Sequence, residues 1–215
     1  MYRLHGFFTQ NSMKPLYVLE ALEVEYDYVF VDLMQRENLS DDFKQKTPIR
    51  KVPVLEHDGE FLFESGPICR YVASLEKSPL YPADKLHRAR VDQWMTYFTC
   101  HPGRQLTEIY FQKIIKPVAG LGETDEAACE QAVRFIQQQL KLLEQHFADT
   151  SWLANDTFSI ADVFALGYMD QVAQVGFSLQ EFPRVSAWLE RLNSLDSTAR
   201  ARARVKDHVP AALAG

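Results

Sequence analysis

The sequence predicts an α/β first domain followed by an all-helical second domain. Three observations predict this fold class. Strand and helix periodicities alternate over residues 1–78, a proline-containing connector occupies 79–84, and the strand signal disappears over 85–215. The first domain reads βαβ, a short helix, ββ and a final α, which packs most simply as a mixed four-stranded sheet covered by helices.

Tyr2-Arg3-Leu4-His5-Gly6 is a short strand ending at a glycine, and Met13, Leu16, Val18, Leu19 and Leu22 then recur at helical spacing. Residues 26–31 (YDYVFV) are rich in β-formers, so a βαβ unit with a parallel strand pair is expected. Residues 40–46 form a short polar helix. The apolar run Val52-Pro53-Val54-Leu55 and the segment 60–64 flank an Asp58-Gly59 turn, which is a hairpin signal. Ser65 opens an apolar helix, with Pro67 in the first turn, where its missing N–H costs little. Past the connector, residues 84–115, 124–147, 159–175 and 183–194 carry helical periodicity. His101-Pro102-Gly103 breaks the first of these. Ser159-Ile160-Ala161-Asp162 has capping-box spacing, with Asp in place of the usual Glu or Gln.

The 215 residues are 47% hydrophobic and 24% charged, ordinary for a soluble globular chain. The net charge of −6 and the lack of a basic stripe disfavour nucleic acid as a partner. Arg200, Arg202 and Arg204 read as a solvated tail or helix face. No export signal and no membrane-length apolar run is legible, so a cytoplasmic protein without a membrane partner is expected. Cys69, Cys100 and Cys129 are odd in number and scattered, which suits a reducing compartment. Each reads as a small apolar residue of a helix in preference to a catalytic thiolate. No metal site is expected.

Two segments carry the chemistry. Val52-Pro53 stands where a loop enters a strand, an unusual place for proline. A cis bond there would leave the Val52 main chain free to pair with an extended peptide. From sequence alone, an ordinary trans proline is the commoner state. Glu64-Ser65 lies at a strand end and a helix start. Ser65 reads either as a plain N-cap or, with the helix end, as a binder of a carboxylate, with Glu64 taking an ammonium. A γ-glutamyl group carries both charges.

The run 51–55 (KVPVL), followed by 64–71 (ESGPICRY), resembles the glutathione site of the cytosolic glutathione transferases. The resemblance extends over nearly the whole chain, through Tyr81-Pro82 to the capping box at Ser159–Asp162. It implies a thioredoxin-like first domain that binds glutathione as co-substrate, and a helical domain that contributes an electrophile site. By position, Val52 before a cis-Pro53 pairs with the cysteinyl part, and Glu64 and Ser65 hold the γ-glutamyl group. Lys51 and Asn38 contact the glycine end, although Lys51 also reads as a solvated lysine. The family's pairing of subunits implies a homodimer.

Such enzymes favour the thiolate of bound glutathione. Lowering a thiol pKa by ~2 units takes about 2.7 kcal/mol, the size of a good hydrogen bond plus a helix N-terminus. In the first loop, Thr9 falls at the catalytic position of serine-type members. The Thr9-x-Asn11 pair resembles the bacterial nu class, so Thr9 is the expected hydroxyl donor and Asn11 a second donor. Ser12 is the runner-up, with an alternative reading as the helix N-cap. Phe7 and Phe8 have no donor, which disfavours a tyrosine mechanism, and no cysteine precedes Cys69, which disfavours a mixed disulfide. Thr47-Pro48-Ile49-Arg50 departs from the family's usual Asn-Pro-x-Gly by a local loop difference.

The second substrate is expected to be a small hydrophobic electrophile packed between the domains. Phe7, Phe8, Tyr97, His101, Arg104, Tyr110 and Phe111 are the candidate contacts, each also readable as ordinary packing. His101 has no legible partner that would make it a base. Glutathione-dependent disulfide or peroxide reduction and a non-catalytic binding module are the alternatives to conjugation.

Overall fold

The computed structural model describes residues 1–118 and 120–209. They form two compact units, Met1–Pro82 with the segment from Ser194 onward, and Ala83–Asn193. The first unit holds one four-stranded sheet in the order β2-β1-β3-β4. The strands are β1 (Tyr2–Gly6), β2 (Tyr26–Phe30), β3 (Val54–His57) and β4 (Glu60–Phe63). β1 runs parallel to β2, with Tyr2 opposite Tyr26, and antiparallel to β3, with Leu4 opposite Leu55. The β3–β4 hairpin closes through Asp58 at φ 51° and Gly59 at φ 82°, the paired positive dihedrals that an Asp-Gly hairpin turn requires. β3 starts two residues later than the apolar run suggests, because Val52-Pro53 is a cis bend ahead of the ladder.

Three α-helices lie within Met1–Pro82: α1 (Gln10–Ala21), α2 (Asp41–Lys46) and α3 (Ser65–Leu75). Ser40 caps α2 by accepting from Phe43 N at 3.2 Å. Leu4, Leu16, Leu19, Leu55 and Ile68 make the core, all at 1% exposure or less. Gly6, the last residue of β1, is closely surrounded: an added Cβ would stand 3.0 Å from the Tyr28 ring and 3.1 Å from Ser12 Cβ, so these neighbours would have to give by a few tenths of an ångström.

The second unit is helical. Its elements are α4 (Lys85–Cys100), α5 (Pro102–Tyr110), α6 (Lys116–Val118), α7 (Glu126–His146), α8 (Ile160–Gln174) and α9 (Pro183–Asn193). A π-helical stretch, Phe111–Ile115, links α5 to α6. The expected break at His101 is present. α4 stops at Cys100, and Pro102 begins α5, where it gives up no helical hydrogen bond. α5 packs on α4, α7 and α8. The capping box forms: Asp162 accepts from Ser159 N at 3.0 Å, and Ser159 Oγ accepts from Ala161 N at 3.2 Å. The fully buried Asp162 also accepts from Leu153 N and Trp188 Nε1, each at 3.0 Å, so it ties a loop and α9 to the head of α8. Burial pushes its carboxyl up to about 6 against the pull of these donors.

Residues 194–215 were expected to stay with the helical domain, but the described part of this segment belongs to the first unit. There α10 (Asp196–Val205) packs on α1. The three arginines lie on an exposed helix face, as expected, but they are engaged from there by α1 and are not simply solvated. Arg200 Nε and Arg204 Nε donate to the two carboxylate oxygens of Glu20 at 2.8 and 3.2 Å, and Arg202 Nε donates to Tyr17 Oη at 3.2 Å. Glu20 is buried, a cost that the hydrogen bonds from Tyr26, Arg200 and Arg204 outweigh, so its carboxyl lies below the ordinary value.

Gly103 sits at a close approach within the second unit. A Cβ there would lie 2.4 Å from the Phe98 carbonyl and 2.6 Å from the Tyr168 ring. Gly103→Ala is therefore expected to destabilise the protein by about 2–3 kcal/mol through overpacking, read as a lower midpoint in urea with an unchanged slope.

Candidate functional site

Sheet register brings three loops to one end of the first unit. His5 pairs with Val54, so residues 7–9 leaving β1 stand beside Val52-Pro53 entering β3. Val54 also pairs with Phe63, which puts Glu64 and Ser65 next along the same end. The Val52-Pro53 peptide bond is cis. Phe7, Val52 and Val54 share one buried cluster, with Phe8 and Phe63 partly buried against it.

Thr9 is the N-cap of α1, with extended dihedrals of −80° and 158° and no side-chain capping bond. Its carbonyl accepts from Ser12 N and Met13 N at 2.9 and 3.0 Å. Its half-buried hydroxyl is thus not spent on the helix it starts. Ser12 is not the helix N-cap. It lies inside α1 and is fully buried, and its Oγ accepts from Phe7 N at 3.1 Å. It therefore braces the loop from within. Tyr28 Oη braces the same loop by donating to the Phe7 carbonyl at 3.2 Å.

Asn11 is exposed, and its Oδ1 accepts from Lys14 Nζ at 2.8 Å. Lys14 was not singled out from sequence, because a lysine on a helix ordinarily reaches solvent. Here it is 1% exposed. Burial lowers its amine to about 7, partly offset by attraction to the Glu64 carboxylate.

Glu64 precedes α3 with φ 71° and ψ 121°, a conformation that L-residues seldom hold. Such outliers cost about 1–3 kcal/mol and collect at functional sites. Ser65 is the first helical residue and is buried, so the N-cap position falls to Glu64, which makes no side-chain cap. The head of α3 is left with main-chain N–H groups that have no side-chain cap from Glu64. Asn38 does not stand free. Its amide donates to the Arg50 carbonyl at 2.9 Å and so holds the loop ahead of Lys51, which is exposed.

The remaining candidates are divided. Phe7 is a core residue at 4% exposure, where an open pocket residue was expected, and the ring of the partly buried Phe8 lies 3.9 Å from it. In the second unit, Tyr97 is half-buried and donates to Gln139 Oε1 at 2.9 Å, while Tyr110 is buried. His101, Arg104 and Phe111 are exposed, and the His101 ring lies 5.3 Å from that of Tyr97. Cys69 and Cys129 are buried, and Cys100 is exposed. Burial pushes the Cys69 thiol up to about 12, so it stays protonated at neutral pH. Among the described residues, no group of His, Cys, Asp and Glu is placed to hold a metal ion, and no helix is long and apolar enough to cross a membrane.

A cis-proline loop beside two helix heads offers an extended peptide a free main-chain edge and two anion-binding helix ends, which is a binding site for a short anionic peptide. The model of the glutathione S-transferase N-terminal domain matches residues 1–74, and that of the C-terminal domain matches residues 93–196. The chain is 30% identical to glutathione S-transferase 3 of Zea mays over 164 residues, 74% of this chain and 73% of that one. A possible glutathione S-transferase from Rhodopseudomonas palustris superposes with a TM-score of 0.81 at 30% identity, covering 92% of this chain and 88% of that one. Glutathione S-transferase-I, solved with lactoylglutathione bound, gives a TM-score of 0.87 at 26% identity, covering 94% and 98%. The chain belongs to the glutathione S-transferase family of enzymes.

Lys14 gives a test of this geometry by stability. Between about pH 7 and 10.5 the folded chain sheds a proton that the unfolded chain keeps. The burial penalty is thus fully present below neutral pH and fades as pH rises. Lys14→Met is expected to raise the melting temperature at about pH 6 by the equivalent of a few kcal/mol and to lose that gain near pH 10. Calorimetric scans across that range measure it.

Proposed function

We propose that the protein binds glutathione along the sheet end formed by residues 7–9, 52–53 and 64–65, favours its thiolate with Thr9 and Asn11, and joins glutathione through its sulfur to small apolar electrophiles. The observation that carries this reading is the Thr9 hydroxyl at the head of α1, left uncommitted by its own helix. A hydroxyl donor together with a helix N-terminus stabilises an anionic sulfur where it forms. Exposed Asn11 supplies a second donor.

The rest of the tripeptide finds matching chemistry. The Glu64 carboxylate suits the γ-glutamyl ammonium, and Ser65 with the head of α3 suits the α-carboxylate. The Val52 main chain offers an N–H and a C=O to the cysteinyl part, and Lys51 a cation to the glycine carboxylate. Asn38 acts at one remove, through the Arg50 carbonyl. In the reaction the thiol proton passes to solvent, and the thiolate attacks the electrophilic carbon. A C–S bond forms, and the leaving group departs with its electron pair. The relative solved with lactoylglutathione supports the choice of tripeptide. The family supports a homodimer, and three unpaired cysteines support a reducing compartment.

Calorimetry with glutathione and turnover of a chlorodinitrobenzene-type acceptor test this reading. Thr9→Val is expected to lower kcat/KM about 30-fold, to move the pH–rate profile upward and to change glutathione affinity less than about threefold. No affinity for the tripeptide would overturn the reading. Turnover only of a glutathione-coupled disulfide would reassign the protein as a reductase, and binding with neither turnover would make it a non-catalytic module.

A further inference from the structure

The buried Lys14 is unexplained by packing alone, since a methionine would fill a similar volume without a polar end. Its Nζ lies 2.8 Å from Asn11 Oδ1, one helical turn back towards the head of α1. The lysine is buried while Asn11 is exposed, so the bond reaches from the interior to the surface. An ammonium has three donors and no acceptor, so it can bind only the oxygen side of the amide. The Asn11 NH2 group is then turned away from Lys14 as a free pair of donors. A neutral amine has a lone pair and would accept either side.

We infer that Lys14 is a positioning residue, which in its ammonium form holds the Asn11 amide with its NH2 group towards the sulfur of bound glutathione. This rests on the glutathione reading above. The charges around Lys14 agree with it. Glu64, at the head of α3, attracts the ammonium, and Cys69 on α3 stays a neutral thiol. On α10, Arg200 and Arg204 are engaged by Glu20 further along α1. On β1, His5 pairs with Glu56 of β3. A thiolate formed at the head of α1 adds negative charge and strengthens proton binding at Lys14. Sulfur ionisation and Lys14 protonation are thus mutually supporting.

The test titrates the thiol of bound glutathione by its ultraviolet thiolate absorbance, with affinity measured by calorimetry in each protein. The proteins are the parent, Lys14→Met, Asn11→Ala and the double variant. Lys14→Met is expected to raise the bound-thiol pKa by about one unit in the parent background, a tenfold loss of thiolate, and to add less than about 0.3 unit to Asn11→Ala. Lys14→Arg restores most of the shift. Lys14→Gln, which no longer selects the oxygen side, gives the same rise and serves if Lys14→Met does not fold. Equal shifts in both backgrounds would overturn the inference, because the charge would then act on sulfur without Asn11. A changed melting temperature with an unmoved thiol titration would also overturn it, leaving Lys14 merely structural. An Asn11→Ala variant that binds glutathione with an unshifted thiol would do the same while leaving the proposed function intact. Absence of glutathione binding by the parent protein would overturn both.

Discussion

The antiparallel pairing of β1 with β3 is the constraint on which the rest of the first unit depends. With His5 opposite Val54, the loop after β1 and the cis Val52-Pro53 bend come to the same end of the sheet. The β3–β4 hairpin carries the register one strand further, to Glu64 and the head of α3. A slip of one residue would turn Leu4 and Leu55 out of the core and scatter the three loops. Two of the largest fully buried aliphatic residues, Leu4 and Leu55, face each other across this pair and hold it in place.

The second unit is organised around a polar group. Buried Asp162 accepts from the main chain of Leu153 and Ser159 and from the Trp188 indole, so a loop, α8 and α9 converge on one carboxylate. Such a fully satisfied network specifies one arrangement of helices that apolar packing alone would leave less defined. The close approach of α5 to α4 at Gly103 adds a steric constraint of the same kind.

Features fixed by neighbouring residues were legible in the sequence. The Asp58-Gly59 hairpin, the Ser159–Asp162 capping box and the His101-Pro102 helix break each follow from local backbone chemistry. The family resemblance implied the cis proline, which local statistics alone would have disfavoured. Features fixed by distant partners were not legible. Lys14 and Glu20 look like ordinary helix-surface charges until the tertiary fold buries them. Glu20 finds Arg200 at a separation of 180 residues. Phe7 and Phe8 look alike as adjacent aromatics, yet one is a core residue and the other a partly open one. Ser12 and Ser65 were each legible as helix-start residues, but the caps fell to Thr9 and Glu64. Helix boundaries shift by a residue or more when tertiary contacts decide where the first turn closes.

The tie between Glu20 and the α10 arginines makes the first unit discontinuous in the chain. On the ribosome, the β-sheet emerges early, but its last helix is translated only after the whole helical unit. The nascent sheet therefore waits, with one flank of α1 uncovered and Glu20 without its counter-charges, while more than a hundred further residues are added. Completion of the amino-terminal half is thereby linked to translation of the second unit.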